Sequence, residues 1–154
     1  MGDKPMENQN EIKALGKLDI VVKDEHGSVK QELTVDNLVV DVGLAYIASR
    51  MKDATATAMT HMELGTGTTA AAAGNTTLET IISGSRTALT STTVTSNAVA
   101  YVASFAAGTG TGAVTEAGIL NAGSGGTLLC RTVFSTVNKG ASDSMTITWT
   151  VTIS

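Results

Sequence analysis

The sequence contains one cysteine and one proline, and only 3% of its 154 residues are aromatic. The single thiol, Cys130, excludes an intramolecular disulfide and most cysteine-based metal sites. The shortage of aromatic rings argues against a surface on which nucleic-acid bases stack. The 10 lysine and arginine residues are scattered along the chain, whereas nucleic-acid affinity rests on concentrated positive charge. We therefore expect no nucleic-acid partner.

Long apolar runs are also missing. The longest weakly polar stretch, residues 97–107, is far shorter than the roughly 20 residues that a membrane helix requires. No basic segment followed by an apolar run and a small-residue cleavage site opens the sequence, so no signal peptide is recognised. We expect a protein made and assembled in a cytoplasm, with no membrane partner.

Small and β-branched residues dominate what is present, with 25 threonines, 20 alanines and 16 glycines and a net charge of −4. Threonine suits the solvent face of a strand, because its branched Cβ favours extended backbone while its hydroxyl group binds water. A chain of this length is typical of one domain and buries enough surface to fold without a disulfide or a metal.

The domain organisation predicted from the pattern is a flexible N-terminal arm at residues 1–16 and a single β domain at residues 17–154. The arm is polar, mixed in charge and aperiodic, and its apolar anchors are Ile12 and Leu15. We predict that these two residues are assembly contacts, which become ordered against a neighbouring subunit. A simple frayed tail is the alternative.

Alternating apolar residues predict most of the strands. They indicate a hairpin at residues 17–35, a strand at 59–64, a second hairpin at 86–107 that turns at Ser96 and Asn97, and strands at 114–121 and 127–135. Residues 38–40 read as a connector, residues 77–82 are ambiguous, and residues 138–140 read as a turn. The clearest signal is the final run, in which Met145, Ile147, Trp149, Val151 and Ile153 alternate with threonine.

One helix is predicted at residues 42–52. Asp41 stands at the position of an N-cap, and the apolar residues recur at helical spacing, with Arg50 and Lys52 near the C-terminal end. The predicted fold is therefore mostly β: an antiparallel β-sandwich or jelly-roll-like barrel with one short helix and an N-terminal arm.

Candidate chemistry is sparse. The run Gly65-Thr66-Gly67-Thr68-Thr69-Ala70 loosely fits a dinucleotide-binding pattern, but that pattern needs a helix immediately afterwards and an acidic residue about 20 positions on. We therefore interpret it as a loop. No residue combination predicts a catalytic site, a metal site or a cofactor.

The titratable residues have structural interpretations. His26 and His61 have no second ligand at metal-binding spacing. Glu116 is interpreted as an outward or edge charge, Glu79 with Arg86 as a surface or inter-subunit ion pair, and Cys130 as a small buried residue. We expect a protein that is not an enzyme.

Three segments carry a resemblance: MTHMELGTGTT at residues 59–69, TEAGILNA at 115–122 and the closing run at 143–152. They resemble segments of small virion proteins of tailed bacteriophages, variously described as head decoration (cement) proteins or tail-fibre-like proteins. The likeness also includes residues 37–40 and 48–51, so it extends over residues 17–154 but not over the arm.

The resemblance implies a structural virion protein without saying which component of the particle it is. The leading hypothesis is a capsid decoration protein that binds the major capsid protein and stabilises its lattice. The resemblance also implies a homo-oligomer at the capsid surface, with a trimer favoured. The alternative is a tail or tail-fibre component that contacts a host receptor or glycan. The Gly-Thr loops favour decoration, because they lack the exposed aromatic or clustered polar groups that are usual in receptor sites.

Overall fold

The computed structural model describes residues 12–52 and 56–154, which form nine antiparallel strands and one helix. The prediction of a mostly β, antiparallel fold with one short helix is confirmed. The elements in chain order are β1 (Ala14–Lys23), β2 (Val29–Val39), α1 (Asp41–Lys52), β3 (His61–Gly65), β4 (Thr87–Ala88), β5 (Ser91–Thr95), β6 (Ala98–Phe105), β7 (Gly112–Leu120), β8 (Leu128–Lys139) and β9 (Ser144–Ile153).

The strands form one curled sheet in the order β4-β3-β7-β8-β2-β1-β9-β6-β5. Its two halves meet where β2 pairs with β8, and this pairing consists of only two residue pairs, Leu38 with Arg131 and Val39 with Cys130. The narrow junction allows the two halves to curl toward each other, so their inner faces enclose one apolar core to which strands of both halves contribute.

The final strand lies at the centre of one half and supplies much of the core. β9 pairs with β1 on one side and with β6 on the other, and Trp149 lies between Leu18 and Tyr101. Met145, Ile147, Trp149 and Val151 are buried. The alternating threonines of β9 lie on the opposite face and are partly exposed, as the sequence pattern predicts.

The N-terminal boundary differs from the prediction. β1 begins at Ala14 rather than at residue 17, because backbone pairing with β9 starts at Ala14 and Ile153. Residues 14–16 therefore belong to the sheet, and residues 1–11 of the predicted arm lie outside the described residues. Leu15 is in β1, and Ile12 comes immediately before the Lys13–Ser154 backbone hydrogen bonds that precede the strand.

Other boundaries also move. Residues 38 and 39, predicted as a connector, end β2 because they pair with β8. The ambiguous segment at 77–82 contributes one isolated bridge from Ile81 to Gly65. The strand predicted from residue 86 is divided into β4, which pairs with β3, and β5, which pairs with β6. β8 continues to Lys139, so the chain turns at residues 140–143 rather than 138–140.

The helix begins at Asp41, one residue earlier than predicted, and packs on β8 through a glycine. Gly43 is the buried residue of this helix, and a Cβ atom at this position would overlap the carbonyl group of Leu129. A side chain here would push the helix away from the strand. The close approach therefore depends on Gly43 rather than on the larger apolar residues of the helix.

Candidate functional site

An open, largely apolar cleft of about 370 Å³ lies where β9 ends. The helix forms one wall with Tyr46, Ile47 and Arg50, and the sheet forms the other with residues of β5, β6 and β9 that include Val94, Val99, Val151 and Ile153. Ala58 and Met59 contribute from the chain between α1 and β3. Apolar side chains of a bound segment would be well accommodated by this lining.

The cleft also carries two tyrosines and one arginine. Burial raises the pKa of Tyr101 to about 12, so its hydroxyl group keeps its proton at neutral pH. Arg50 donates a hydrogen bond to the carbonyl oxygen of Ala56. The polar part of the lining therefore offers hydrogen-bond donors and one positive charge to a bound segment.

Large apolar side chains are exposed on the elements that form the cleft. On α1, Leu44 is 46% exposed and Met51 is 82% exposed, and on β5 Val94 is 70% exposed. The helical spacing of the apolar residues of α1 predicts the helix. It does not predict which face is buried, because Gly43, rather than one of these apolar residues, makes the close contact with the sheet. Exposed large apolar side chains on the elements that line a cleft are candidates for contact with a partner.

The predicted assembly contacts Ile12 and Leu15 are both exposed, by 73% and 60%. Leu15 is opposite Thr152 in the β1–β9 pairing, so its side chain lies on the threonine face. Ile12 lies beside the end of β9, next to the hydrogen bonds between Lys13 and Ser154. Because Ile153 lines the cleft, the start of the described chain is close to the cleft.

A buried ion pair between Glu116 and Arg131 is the most polar feature of the interior. Glu116 is 0% exposed and Arg131 is 2% exposed, and Nε of Arg131 donates to Oε2 of Glu116 over 2.9 Å. The interpretation of Glu116 as an outward or edge charge is therefore wrong. Sequence alternation gives no sign of this pairing, because both faces of β7 are covered from Val114 onward.

The ion pair fixes the long segment between β3 and β4. Glu116 accepts hydrogen bonds from the backbone N–H groups of Gly67, Glu79 and Thr80, at 3.0, 3.0 and 2.7 Å. Arg131 donates to the carbonyl oxygen of Thr69 and to the side chain of Asn75, each at 3.0 Å. A segment with little regular structure thus has its backbone groups satisfied by two buried charges.

The glycine-rich run at residues 65–70 belongs to this same arrangement. No helix follows it, and the N–H group of Gly67 is occupied by Glu116. Thr115 also donates its hydroxyl hydrogen to the carbonyl oxygen of Gly67 over 2.7 Å. Gly65 ends β3, residues 66–70 form a loop, as predicted, and Gly67 lets this loop approach Glu116 closely.

Comparison with known proteins gives no relative. No family model, curated protein or solved structure matches this chain. Within the fold, the resemblance segments at 59–69 and 115–122 form one unit, since β3 pairs with β7 and the loop after β3 is held by Thr115 and Glu116. The third segment, at residues 143–152, includes most of the core strand β9. These segments therefore have structural roles.

The predicted ion pair between Glu79 and Arg86 does not form, because each residue has another partner. Arg86 binds both carboxylate oxygens of Glu63, at 2.8 and 3.1 Å, and donates to the carbonyl oxygens of Ala122 and Gly125. Glu79 instead lies 3.8 Å from Nη2 of Arg131, and hydrogen bonding to Thr69 lowers its pKa. Each arginine thus connects a strand to a neighbouring loop within the chain.

A third charged cluster holds the turn between β8 and β9. Asp143 accepts hydrogen bonds from Nζ of Lys30 and from the N–H group of Gly140, each at 2.7 Å. Lys139 is 1% exposed and donates to the carbonyl oxygens of Ala106 and Asp143. The hydrogen bond from Lys30 lowers the pKa of Asp143, whereas burial lowers the pKa of Lys139.

This cluster gives a pH-dependent prediction. Because the pKa of Asp143 is lower in the folded chain than the ordinary value of 3.8, its carboxylate stabilises the fold above that pH, and the contribution is lost as the pH falls through the folded pKa. Asp143→Asn should therefore be less stable than the parent at neutral pH, and the difference should shrink in acid. Urea unfolding at several pH values measures it, with Glu25→Gln on an exposed turn as the control. A difference that does not change with pH would contradict the assignment.

The remaining candidates form no chemical site. Cys130 is buried, as predicted, and burial raises the pKa of its thiol. His26 is on an exposed turn, and His61 contacts Thr60 through Nδ1. In the part of the chain that the structure describes, no group of three or more His, Cys, Asp or Glu residues is placed to hold a metal ion. Within the same residues, no helix has the length and apolar character needed to cross a membrane.

Proposed function

We propose that this chain is a structural virion protein of a tailed phage, and that it acts as a capsid decoration protein bound to the major capsid lattice. The observation that carries the proposal is the group of exposed apolar side chains on the elements that form the cleft, namely Leu44, Met51 and Val94, with Ile12 close by. Such side chains are stabilised when a partner covers them.

The proposed contact is strengthened by repetition. Burying one large apolar side chain contributes about 1.5–3 kcal/mol. Two anchors such as Ile12 and Leu15 therefore give only weak binding for each copy. Backbone hydrogen bonds and simultaneous binding of many copies on a lattice strengthen it. The resemblance to decoration proteins agrees with this use of weak, repeated contacts.

The alternative function is a tail or tail-fibre component that binds a host glycan. A different region of the molecule supports it. A polar hollow of about 350 Å³ is lined by Thr69, Asn75, Thr76, Thr77, Glu79 and Arg131. Hydroxyl, amide and charged groups of this kind suit sugar hydroxyls. Quantifying this protein against the major capsid protein in purified virions separates the two functions, since decoration requires hundreds of copies and a tail component requires few.

Capsid retention tests the proposed contact directly. Ile12→Ser and Met51→Gln should each weaken binding to purified undecorated capsids by about tenfold, the change that corresponds to about 1.4 kcal/mol of lost contact energy. Val29→Ser is the matched control, because Val29 is also exposed, by 52%, but begins β2 and pairs with Lys23, at the end of β1 far from Ile12. Equal retention of all three variants, each with parental melting behaviour, would refute the contact.

A further inference from the structure

One edge of the curled sheet is open. Among the residues that the structure describes, β5 ends the strand order and pairs only with β6, and all five of its residues, Ser91 to Thr95, are exposed. Natural edge strands are usually protected by charged residues, proline or a bulge. The sequence STTVT contains no charge and no proline, and its register with β6 has no shift. This edge is therefore available for pairing with another strand.

The hairpin geometry determines which backbone groups point outward. A two-residue turn, in which Ser96 has a φ of 54°, connects Thr95 to its partner Ala98. Because hydrogen-bonded pairs alternate along an antiparallel ladder, Ser91, Thr93 and Thr95 direct their N–H and C=O groups toward β6. Thr92 and Val94 direct theirs toward solvent, and their side chains line the cleft.

We infer that β5 is a self-association site, which pairs with β5 of a second copy in antiparallel fashion about a two-fold axis at Thr93. In this register Thr92 exchanges two backbone hydrogen bonds with Val94 of the second copy, and the symmetric pair exchanges two more. With the two-fold axis at Thr92 or at Val94, the residue on the axis would pair with its own counterpart in the second copy. The other residue would then have no partner within β5. The axis at Thr93 is thus the register that satisfies the outward groups of both residues in both copies.

A second copy is the occupant that this edge fits best. A two-fold contact places each residue opposite a residue of the same strand, and β5 has no charged residue that would be repelled by its counterpart. Thr93 faces Thr93 on the outer face of the sheet. On the inner face, Thr92 of the second copy covers Val94, which is 70% exposed in the single chain. The contact is small, so the association is weak and depends on concentration.

This inference does not depend on the proposed function: it assigns Val94 to the second copy and leaves Leu44, Met51 and Ile12 for the capsid contact. It concerns a two-fold contact, which is distinct from the three-fold contact within the trimer that the resemblance favours. The two contacts can exist together, with β5 connecting neighbouring oligomers.

Cysteine cross-linking tests the register. Thr93→Cys places two thiols across a non-hydrogen-bonded pair, where the Cα atoms are about 4.5 Å apart and a disulfide forms readily. Cys130 is 0% exposed and does not compete. Ser91→Cys is the matched control on the same face: Ser91 would lie opposite Thr95 of the second copy, so the two introduced thiols are about 13 Å apart. We expect a disulfide-linked dimer from Thr93→Cys alone at high protein concentration.

A charge substitution provides a second measurement. Thr93→Lys places two like charges opposite each other and should abolish concentration-dependent dimerisation in sedimentation experiments, whereas Thr95→Lys, opposite Ser91, should leave it intact. All three substituted positions, Ser91, Thr93 and Thr95, are exposed on β5, so folding should be unchanged. The inference is overturned if Thr93→Cys gives no dimer, if Ser91→Cys cross-links equally well, or if Thr93→Lys associates like the parent. If a variant loses capsid binding but none of these three outcomes is observed, the loss bears on the proposed function and not on self-association.

Discussion

Replacing Trp149 by alanine is expected to lower the free energy of unfolding by about 3–5 kcal/mol, the usual cost of deleting a large buried aromatic side chain. Trp149 is 0% exposed and is flanked by Leu18 on β1 and Tyr101 on β6. A cavity at this position would separate side chains of three adjacent strands. Because small domains are stable by only about 5–15 kcal/mol, the variant should be at the edge of folding.

Urea unfolding followed by circular dichroism measures this effect, since Trp149 is the only tryptophan and its fluorescence is lost with it. Trp149→Phe should cost less, because Nε1 of Trp149 is buried and has no hydrogen-bond partner among the described residues, so phenylalanine removes a donor that these residues leave unsatisfied. Thr148→Ala, on the opposite face of β9, is the control. A Trp149→Ala variant as stable as Thr148→Ala would refute the central position of β9 in the core.

Removing the carboxylate of Glu116 should have an effect of similar size. Glu116→Ala leaves the guanidinium group of Arg131 buried with the more distant carboxylate of Glu79, 3.8 Å away, as its ion-pair partner, and breaking a buried ion pair from one side costs about 3–5 kcal/mol. The variant also removes the acceptor for the backbone N–H groups of Gly67, Glu79 and Thr80. Arg131→Met should cost less, because these three donors still stabilise the carboxylate.

Hydrogen exchange distinguishes this effect from general destabilisation. In Glu116→Ala the amides of Gly67, Glu79 and Thr80 should lose protection before the amides of β9 do, since the segment between β3 and β4 is released first. Glu25→Ala, which removes an exposed carboxylate, should change neither stability nor exchange. Uniform loss of protection across the sheet, or no loss at the three amides, would show that Glu116 does not anchor the segment.

The strands that could be predicted from the sequence are those with one face in the core and one in solvent. β1, β6 and β9 alternate between buried and more exposed positions, so the period of two appears directly in the residue types. The first hairpin is also predicted well, because Gly27, with a φ of 81°, marks its turn. The mostly β fold class follows from these segments.

The candidate site could not be predicted in the same way. β7 is buried on both faces, so Glu116 stands among buried residues without any alternation that would reveal its direction. Its partner Arg131 is 15 positions away along the chain and approaches only because β7 and β8 pair. The cleft likewise depends on the position of the helix, which is set by contact between Gly43 and β8 rather than by the apolar pattern of the helix.

The pairing of β1 with β9 affects how the chain folds while it is being synthesised. β1 needs β9 on one side, and Leu18 meets Trp149 only after nearly the whole chain has left the ribosome. Until then β1 and β6 each lack the strand that lies between them, and their apolar faces stay uncovered. Pairings so distant in sequence form slowly, and nascent chains in this state are prone to aggregate. The chain would therefore be most dependent on chaperones until β9 has been synthesised.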